Sequence, residues 1–411
     1  MKTADPELMR AINRFHVMDA IRRFGPISRV EISQITDLSP TTVSAITAAL
    51  LDDKLIVTLQ LGALRDPGRG RPRVMLKLNP DAARVVGVKL APDLITVGVT
   101  NFCADVLCSV ALPIRVDRQS PAVIADLVED GVRRCVSDAG LEMKDVAGLC
   151  IGLPGVVERS AGVARQSPIF SDRDVAFGPQ LTERLGVPAT IDCDVNLCAL
   201  AEHWFGQGRG LNDFLVVSVE RSLGLGILHN GELFRGANGL SPDLGDFMVR
   251  PSGNEGGRLG DLASEASVLA EVEAPPRRGE SDGVYAHGRA IAHVLQRADG
   301  GDSRCAATLA AAGEALGFAI ANLITLFAPP KVLVSGGAMA NSEHFLAPLR
   351  RAVAAQLPSS LSDVTEIVVR AWSDSIWVRG AAAMTLRDLY GAPWGTTGPA
   401  RQSLAIAEES P

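Results

Sequence analysis

The stretch Ile27 to Val57, ISRVEISQITDLSPTTVSAITAALLDDKLIV, most constrains what this chain can fold into. Arg29 to Ile35 carries a short helical pattern, Thr36, Asp37 and Leu38 form a tight turn, and Ser39 caps a second helix that Pro40 starts. Two short helices around so tight a turn predict a helix-turn-helix. In the second helix Val43, Ile46, Leu50 and Leu51 recur three to four residues apart, which leaves Thr41, Thr42, Ser44 and Thr47 on other faces. Small polar residues near a helix N-terminus can enter a major groove and reach phosphates and base edges, so with Arg29 and Ser39 they form a candidate DNA-binding set. A surface helical hairpin with an ordinary polar face has the same local pattern. Its continuation separates the two: Lys54 to Leu61 reads as a strand and Arg73 to Leu78 as its partner, a wing beside the helices.

The loop between those strands, LRDPGRGRPR, interleaves Arg65, Arg69, Arg71 and Arg73 with glycine and proline. Extended arginines fit a narrow minor groove, which makes Arg69 and Arg71 candidate DNA contacts; a basic linker that touches nothing has much the same composition. The whole chain has a formal charge of -7, but residues 1–80 hold 12 Lys or Arg against 8 Asp or Glu, a net +4, so the remainder carries -11. A basic head on an acidic body focuses DNA contact at one end. Seven scattered cysteines with no CxxC pair match a reduced interior, and neither a leader-like apolar segment after Met1 nor an uninterrupted apolar run of spanning length is found. A cytoplasmic, nucleoid-associated protein with no membrane partner is expected.

Residues 8–24 place Ile12, Phe15, Met18, Ala20, Ile21 and Phe24 at helical spacing, with Gly25 and Pro26 as a stop, so a first helix should back the helix-turn-helix. From Val85 the period changes to two: VVGVKL, ITVGVTN and DVLCSVALPI predict a three-strand meander, followed by a helix over Pro121 to Ala139, the buried strand VAGLCIGLPGVV, a helix near Phe177 to Leu185, and the strand ATIDCDVN. A second series follows: a helix at Leu197 to Phe205, the strands FLVVSV and LGLGILHNGELF with an Asn230-Gly231 hairpin, and a helix over Cys305 to Leu326. The strand KVLVSGG, a helix at Glu343 to Ala355, the strand TEIVVRAW and a helix around Val378 to Leu389 complete it. The expected division is a head at 8–80, a first α/β lobe at 82–195 onto which a C-terminal helix (about 376–390) packs back, a second lobe at 196–375 with a variable segment at 251–304, and a flexible tail at 391–411.

IGLPGVVERSAGV, DCDVNLCALAE, GILHNGELFRGANGLSPDLGDFMV and VLVSGG, in this order behind a winged head and a GRGRP stretch, resemble the ROK family of repressors, open reading frames and sugar kinases, in its transcriptional-regulator branch, from Asn13 to about Leu389. The resemblance implies a winged helix domain on an actin-like, ribonuclease-H-like two-lobed α/β body. It also implies a sugar cleft between the lobes and homodimers or homotetramers on palindromic double-stranded DNA operators.

In the kinase members an aspartate at the position of Asp194 activates a sugar hydroxyl, which requires phosphate held in line with it. Here the phosphate turns depart from the family pattern. The first reads GVKLA at Gly87 to Ala91, and in the second Glu220, Arg221 and Ser222 replace glycine, threonine and glycine, while Gly224 and Gly226 remain. A carboxylate repels phosphate and side chains block the backbone approach that glycine permits, so no catalytic residue and no cofactor is expected. By the same resemblance the ligand-binding positions are Asp194, Asn196, Asp243 and Asp246, with Ala263 where the family carries a glutamate. Three carboxylates at these places suit an amino sugar, whereas Asp194 and Asn196 could also simply cap the helix at Leu197. The family's zinc positions fall on Asp246, Asn254, Gly256 and Asp261, which offer no thiolate or imidazole, so no metal is expected. The expected function is a DNA-binding transcriptional regulator, a repressor, sensing a sugar or sugar derivative. The rivals are a sugar kinase with a DNA-binding head, and a regulator whose body is only a dimerisation scaffold.

Overall fold

Three helices and a small sheet build the head. Helix α1 (Pro6–Phe24) buries Val17, Met18, Ala20 and Ile21, while Phe24, expected on that apolar face, is 48% exposed at the helix end. The strand β1 (Ile27–Ser28) leads into α2 (Arg29–Thr36), where Ser28 and Glu31 form a reciprocal capping box. Asp37 closes α2 in the left-handed region at φ 53°, a conformation that short polar side chains tolerate. Ser39 then accepts the Thr42 N–H and Pro40 occupies the first turn of α3 (Pro40–Asp52). The strands β2 (Ile56–Leu59) and β3 (Met75–Leu78) pair antiparallel, and β1 adds itself to the free side of β3. The computed structural model describes residues 6–59, 74–116, 119–236, 239–250, 256–272, 286–361, 363–371 and 374–391. The arginine loop, with Arg69 and Arg71, lies outside them, as does the tail beyond Gly391.

The first lobe is a five-stranded mixed sheet in the order β10-β7-β4-β5-β6. It is formed by the antiparallel meander β4 (Arg84–Ala91), β5 (Leu94–Asn101) and β6 (Val106–Leu112), with β7 (Val146–Leu153) and β10 (Ala189–Cys193) running parallel beside β4. Helix α4 (Pro121–Asp138) and α5 (Phe177–Leu185) join these strands. Between β7 and α5 a small hairpin, β8 (Val156–Glu158) and β9 (Val163–Gln166), stands outside the main sheet.

Helix α6 (Asp194–Phe205) begins directly after β10, three residues earlier than the sequence spacing predicted. The second lobe repeats the architecture with β11 (Phe214–Val219), β12 (Leu223–His229) and β13 (Glu232–Leu233). After the short pair β14 (Met248–Val249) and β15 (Gly257–Arg258) come α7 (Leu259–Ala263), α8 (Glu265–Val272), α9 (Ala286–Asp299) and α10 (Ser303–Phe327). Strand β16 (Lys331–Gly336), α11 (Glu343–Gln356) and β17 (Glu366–Ala371) complete the sheet β13-β12-β11-β16-β17. The Asn230-Gly231 turn has both residues at positive φ, as a two-residue hairpin of this twist needs. Helix α10 is long and apolar enough to cross a bilayer by length and composition alone, but Leu309, Leu316, Ile320 and Ile324 are buried in the second lobe. Finally α12 (Asp374–Leu389) packs back on the first lobe, where Gly87 and Gly98 leave room for Val378, and on α6, where Gly380 lies against the Leu197 carbonyl.

The core of the head is continuous with that of the body. Val17, Met18, Ile21, Ile32, Val43 and Leu50 belong to the same apolar cluster as Leu200, Trp204, Leu386 and Tyr390 of the body. The division at residue 80 follows the chain, and the packing crosses it.

Candidate functional site

The cleft between the lobes is organised by the start of α6. A cavity of about 200 Å³ is lined by Lys89 and Ala91 from the end of β4, Pro154 and Gly155 after β7, Cys193 and Asp194 at the β10–α6 junction, Ser218 and Glu220 to Gly224 around the β11–β12 turn, and Asp243. A second, more open cavity of about 520 Å³ adjoins it and adds Gln166, Ser167, Asp246, Arg258 and Asp261. The structure therefore brings Asp194, Asp243 and Asp246 to one continuous cleft.

Asn196 does not join them. It is fully buried inside α6, donating to Asp192 Oδ1 at 2.9 Å and Ser241 Oγ at 2.8 Å, and its own Oδ1 has no partner. It positions the loop that carries Asp243 instead of facing the cleft. Nor do Asp194 and Asn196 cap a later helix: Asp194 is already in the first turn, and its Oδ1 accepts the Val195 N–H at 2.7 Å. Asp243 accepts the Gly245 N–H at 2.9 Å, and the exposed Asp246 pairs with Arg258 at 2.6 Å.

The phosphate turn is occupied from within. Glu220 faces Lys89 across the cleft at 3.5 Å, and Lys89 Nζ also lies 3.8 Å from the centre of the Trp377 ring. Burial works to lower the Lys89 pKa, but Glu220 and Asp194 outweigh it and leave it raised. Burial and the Glu220 charge push Asp194 up to about 6, against the opposing pull of Lys89. The two surviving glycines of the turn have a packing role: a side chain on Gly224 or Gly226 would meet Val195 or Ala199 of α6, so they let β12 approach that helix.

Because the folded state holds the Asp194 proton up to about pH 6 while the unfolded chain releases it near 3.8, the folded state binds more protons in that window and stability falls as pH rises through it. Replacing Asp194 with asparagine removes the penalty. The expected result is a higher melting temperature than wild type at pH 7 and no difference at pH 3.5; a variant that melts lower at pH 7 would show the ionised carboxylate to be stabilising.

Behind the cleft lies a buried charge network that the sequence did not signal. Asp192 contacts Arg235 and, at 3.6 Å, Arg159, while Arg159 also reaches Asp388 of α12 at 2.6 Å. The residues are far apart in the chain and match no spacing pattern.

In the head, Ser39, Thr41 and Ser44 are exposed and Thr42 half-buried on the N-terminal part of α3. Their hydroxyls form a local chain: Ser39 Oγ is 3.2 Å from Thr41 Oγ1 and 2.8 Å from Thr42 Oγ1. Thr47 corrects the expected set. It is completely buried, donating to the Ser44 carbonyl and accepting from Arg29 Nε at 2.8 Å, so its hydroxyl braces α2 against α3 and holds Arg29 instead of facing outward.

The ROK family profile matches residues 93–388. The chain belongs to the ROK family. It is 27% identical to the xylose repressor of Caldicellulosiruptor bescii over 396 residues, covering 94% of this chain and 98% of that protein. It is 26% identical to the DNA-binding transcriptional dual regulator NagC of Escherichia coli over 335 residues, covering 80% and 81%. Among solved structures, a ROK family transcriptional regulator described as a homologue of the E. coli Mlc protein superposes with a TM-score of 0.76 at 23% identity, over 97% of this chain and all of that one. A ROK glucokinase from Streptomyces griseus superposes with a TM-score of 0.60 at 22% identity, over 73% of this chain and 98% of its own. Both share the fold of this ROK protein; the glucokinase superposes on less of the chain than the regulator does.

Proposed function

We infer that this ROK protein is a DNA-binding transcriptional repressor whose two-lobed body reads a sugar or sugar derivative. One observation carries the coupling: α6 has Asp194 in the cleft at its first turn and Trp204 against the head helix α1 at its last, with the Arg22 guanidinium 4.0 Å over the Trp204 ring. A helix of this length spans about 18 Å as a rigid rod. Closure of the lobes on a ligand displaces one end of that rod and so the seat of α1, which favours one placement of the head over another. The relatives named xylose repressor and N-acetylglucosamine repressor support a sugar-type effector. Asp194 and Asp243 favour an amino sugar, and binding of glucose but not glucosamine in calorimetry would exclude that choice. The open polar cleft counts against a body that is only a scaffold.

Two heads on a homodimer or homotetramer read a palindromic operator, each laying α3 in a major groove with Ser39, Thr41, Thr42 and Ser44 toward DNA and Arg29 beside them, held by Thr47; Arg69 and Arg71 complete the set from the wing. The test is selection of genomic fragments by the purified full-length protein, followed by a metabolite screen for release. Sequence-specific capture that a sugar derivative abolishes is expected, and capture without sequence preference would sink the reading. On the selected operator, Ser44→Ala is expected to weaken binding by about 1–3 kcal/mol, measured by fluorescence anisotropy; unchanged affinity would place Ser44 on the solvent side.

We assign this protein no kinase activity. Glu220 sets a carboxylate where a polyphosphate needs a backbone cradle, and Lys89 is already engaged by it. A coupled assay with ATP and glucose, xylose, mannose or N-acetylglucosamine is expected to show no turnover above the protein-free rate; sugar-dependent turnover would restore the enzyme reading.

A further inference from the structure

A separate cavity, of about 430 Å³, lies where the head meets the body, away from the cleft. Its walls hold four cations, Arg22 of α1, Lys77 of β3, Arg209 after α6 and Arg379 of α12, against one carboxylate, Asp105. Arg22 is answered by Asp19 at 2.6 Å, and Arg209 donates to the Arg23 carbonyl, a neutral acceptor, with no carboxylate paired to it among the described residues. The Arg379 guanidinium stacks 3.8 Å over the Phe205 ring, and its Nε is buried with no hydrogen-bond partner. Burial lowers the Arg379 pKa, against the opposing pull of Asp105. Trp204 and Phe205 supply apolar walls beside these groups.

We propose that this joint is a binding site for a small phosphomonoester, separate from the sugar cleft. Setting aside Arg22 as paired, three cations face one carboxylate, and the surplus matches the charge of about -1.5 to -2 that a phosphomonoester carries near neutral pH. The guanidinium fork of Arg379 suits phosphate oxygens, and the two aromatic rings suit the organic part of the ligand. The volume falls in the range of about 300–1,000 Å³ typical of small-molecule sites. Because the walls come from α1 and β3 on one side and from α6 and α12 on the other, the bound ligand cross-links head and body. It acts on DNA affinity by holding the head in one placement, and DNA acts on ligand affinity by the same factor.

The test uses phenyl phosphate as the probe, titrated into the full-length protein by calorimetry, with phenol as the uncharged comparison and inorganic phosphate as the ring-free one. Wild type is expected to bind phenyl phosphate and not phenol. Lys77→Gln and Arg379→Gln should each weaken binding at least tenfold, while Arg350→Gln on the far surface leaves it unchanged. Lys77→Gln keeps the Arg379–Phe205 stack, so it decides the matter if the Arg379 variant fails to fold. No binding by wild type, or equal binding by Lys77→Gln and wild type, overturns the proposal. A DNA phosphate seated in the same pocket would instead make Lys77→Gln reduce the salt slope of DNA binding by about one while phenyl phosphate competes with DNA, and that result also overturns the small-ligand assignment.

Discussion

Replacing Asp192 with alanine is expected to lower the unfolding free energy by about 3–5 kcal/mol. Asp192 is completely buried, its Oδ2 answers Arg235 and Arg159, and its Oδ1 accepts the Cys193 N–H at 2.8 Å and the Asn196 amide at 2.9 Å. Truncation leaves Arg235 uncompensated and Asn196 short of a partner, while Arg159 retains Asp388. Breaking one side of a buried pair costs far more than the pair contributes, because the charge left behind has lost both water and partner. The measurement is urea denaturation of both proteins at pH 7. The response to effector should fall as well, since Asn196 links Asp192 to Ser241 and so to the loop carrying Asp243. A loss below about 1 kcal/mol would mean that water reaches the site and that the network does not organise the cleft.

Trp204→Ala carries a comparable stability cost, about 3–5 kcal/mol for truncating a large aromatic in a packed core. The indole is only 6% exposed; it stacks on Tyr390 with ring centres 5.6 Å apart and planes within 2°, meets Phe205 edge-on, and lies under Arg22. Its distinguishing consequence concerns coupling. The expected result is a protein that still binds operator DNA but no longer releases it when effector is added, because the end of α6 has lost its grip on α1. Operator affinity with and without effector, measured by anisotropy, checks this. Trp204→Phe, which keeps an apolar ring of smaller size, should recover part of both stability and response; full effector response in the alanine variant would show that the signal travels by another route.

The head was legible because its determinants are local. Ser39 ahead of Pro40, the tight turn around Asp37 and the spacing of Val43 and Leu50 act within a few residues, and the structure has the cap, the turn and the apolar positions there, with α2 running one residue further, through Thr36. Thr47 was misread for the complementary reason. Its hydroxyl groups it with the polar residues, yet it lies four residues after Val43 and three before Leu50, beside the apolar stripe, where the packing of α2 against α3 turns it inward and gives Arg29 a partner.

The body divides in the same way. The order of strands and helices, the Asn230-Gly231 turn and the substituted phosphate turn follow from period, turn chemistry and charge along the chain. Local sequence cannot report which distant groups meet. Lys89 and Glu220 are 131 positions apart, and their pairing across the cleft depends on two separate sheets being set face to face. The inward turn of Asn196, the Asp192 network, the use of Gly224 and Gly226 for helix approach and the aromatic seat of α1 are of the same kind. By itself the sequence determined a DNA-binding head on an altered sugar-kinase body. Only the tertiary structure decided that the two cores are continuous, because apolar side chains far apart in the chain, from α1 and from α6 and α12, are brought together at the joint and lose water there.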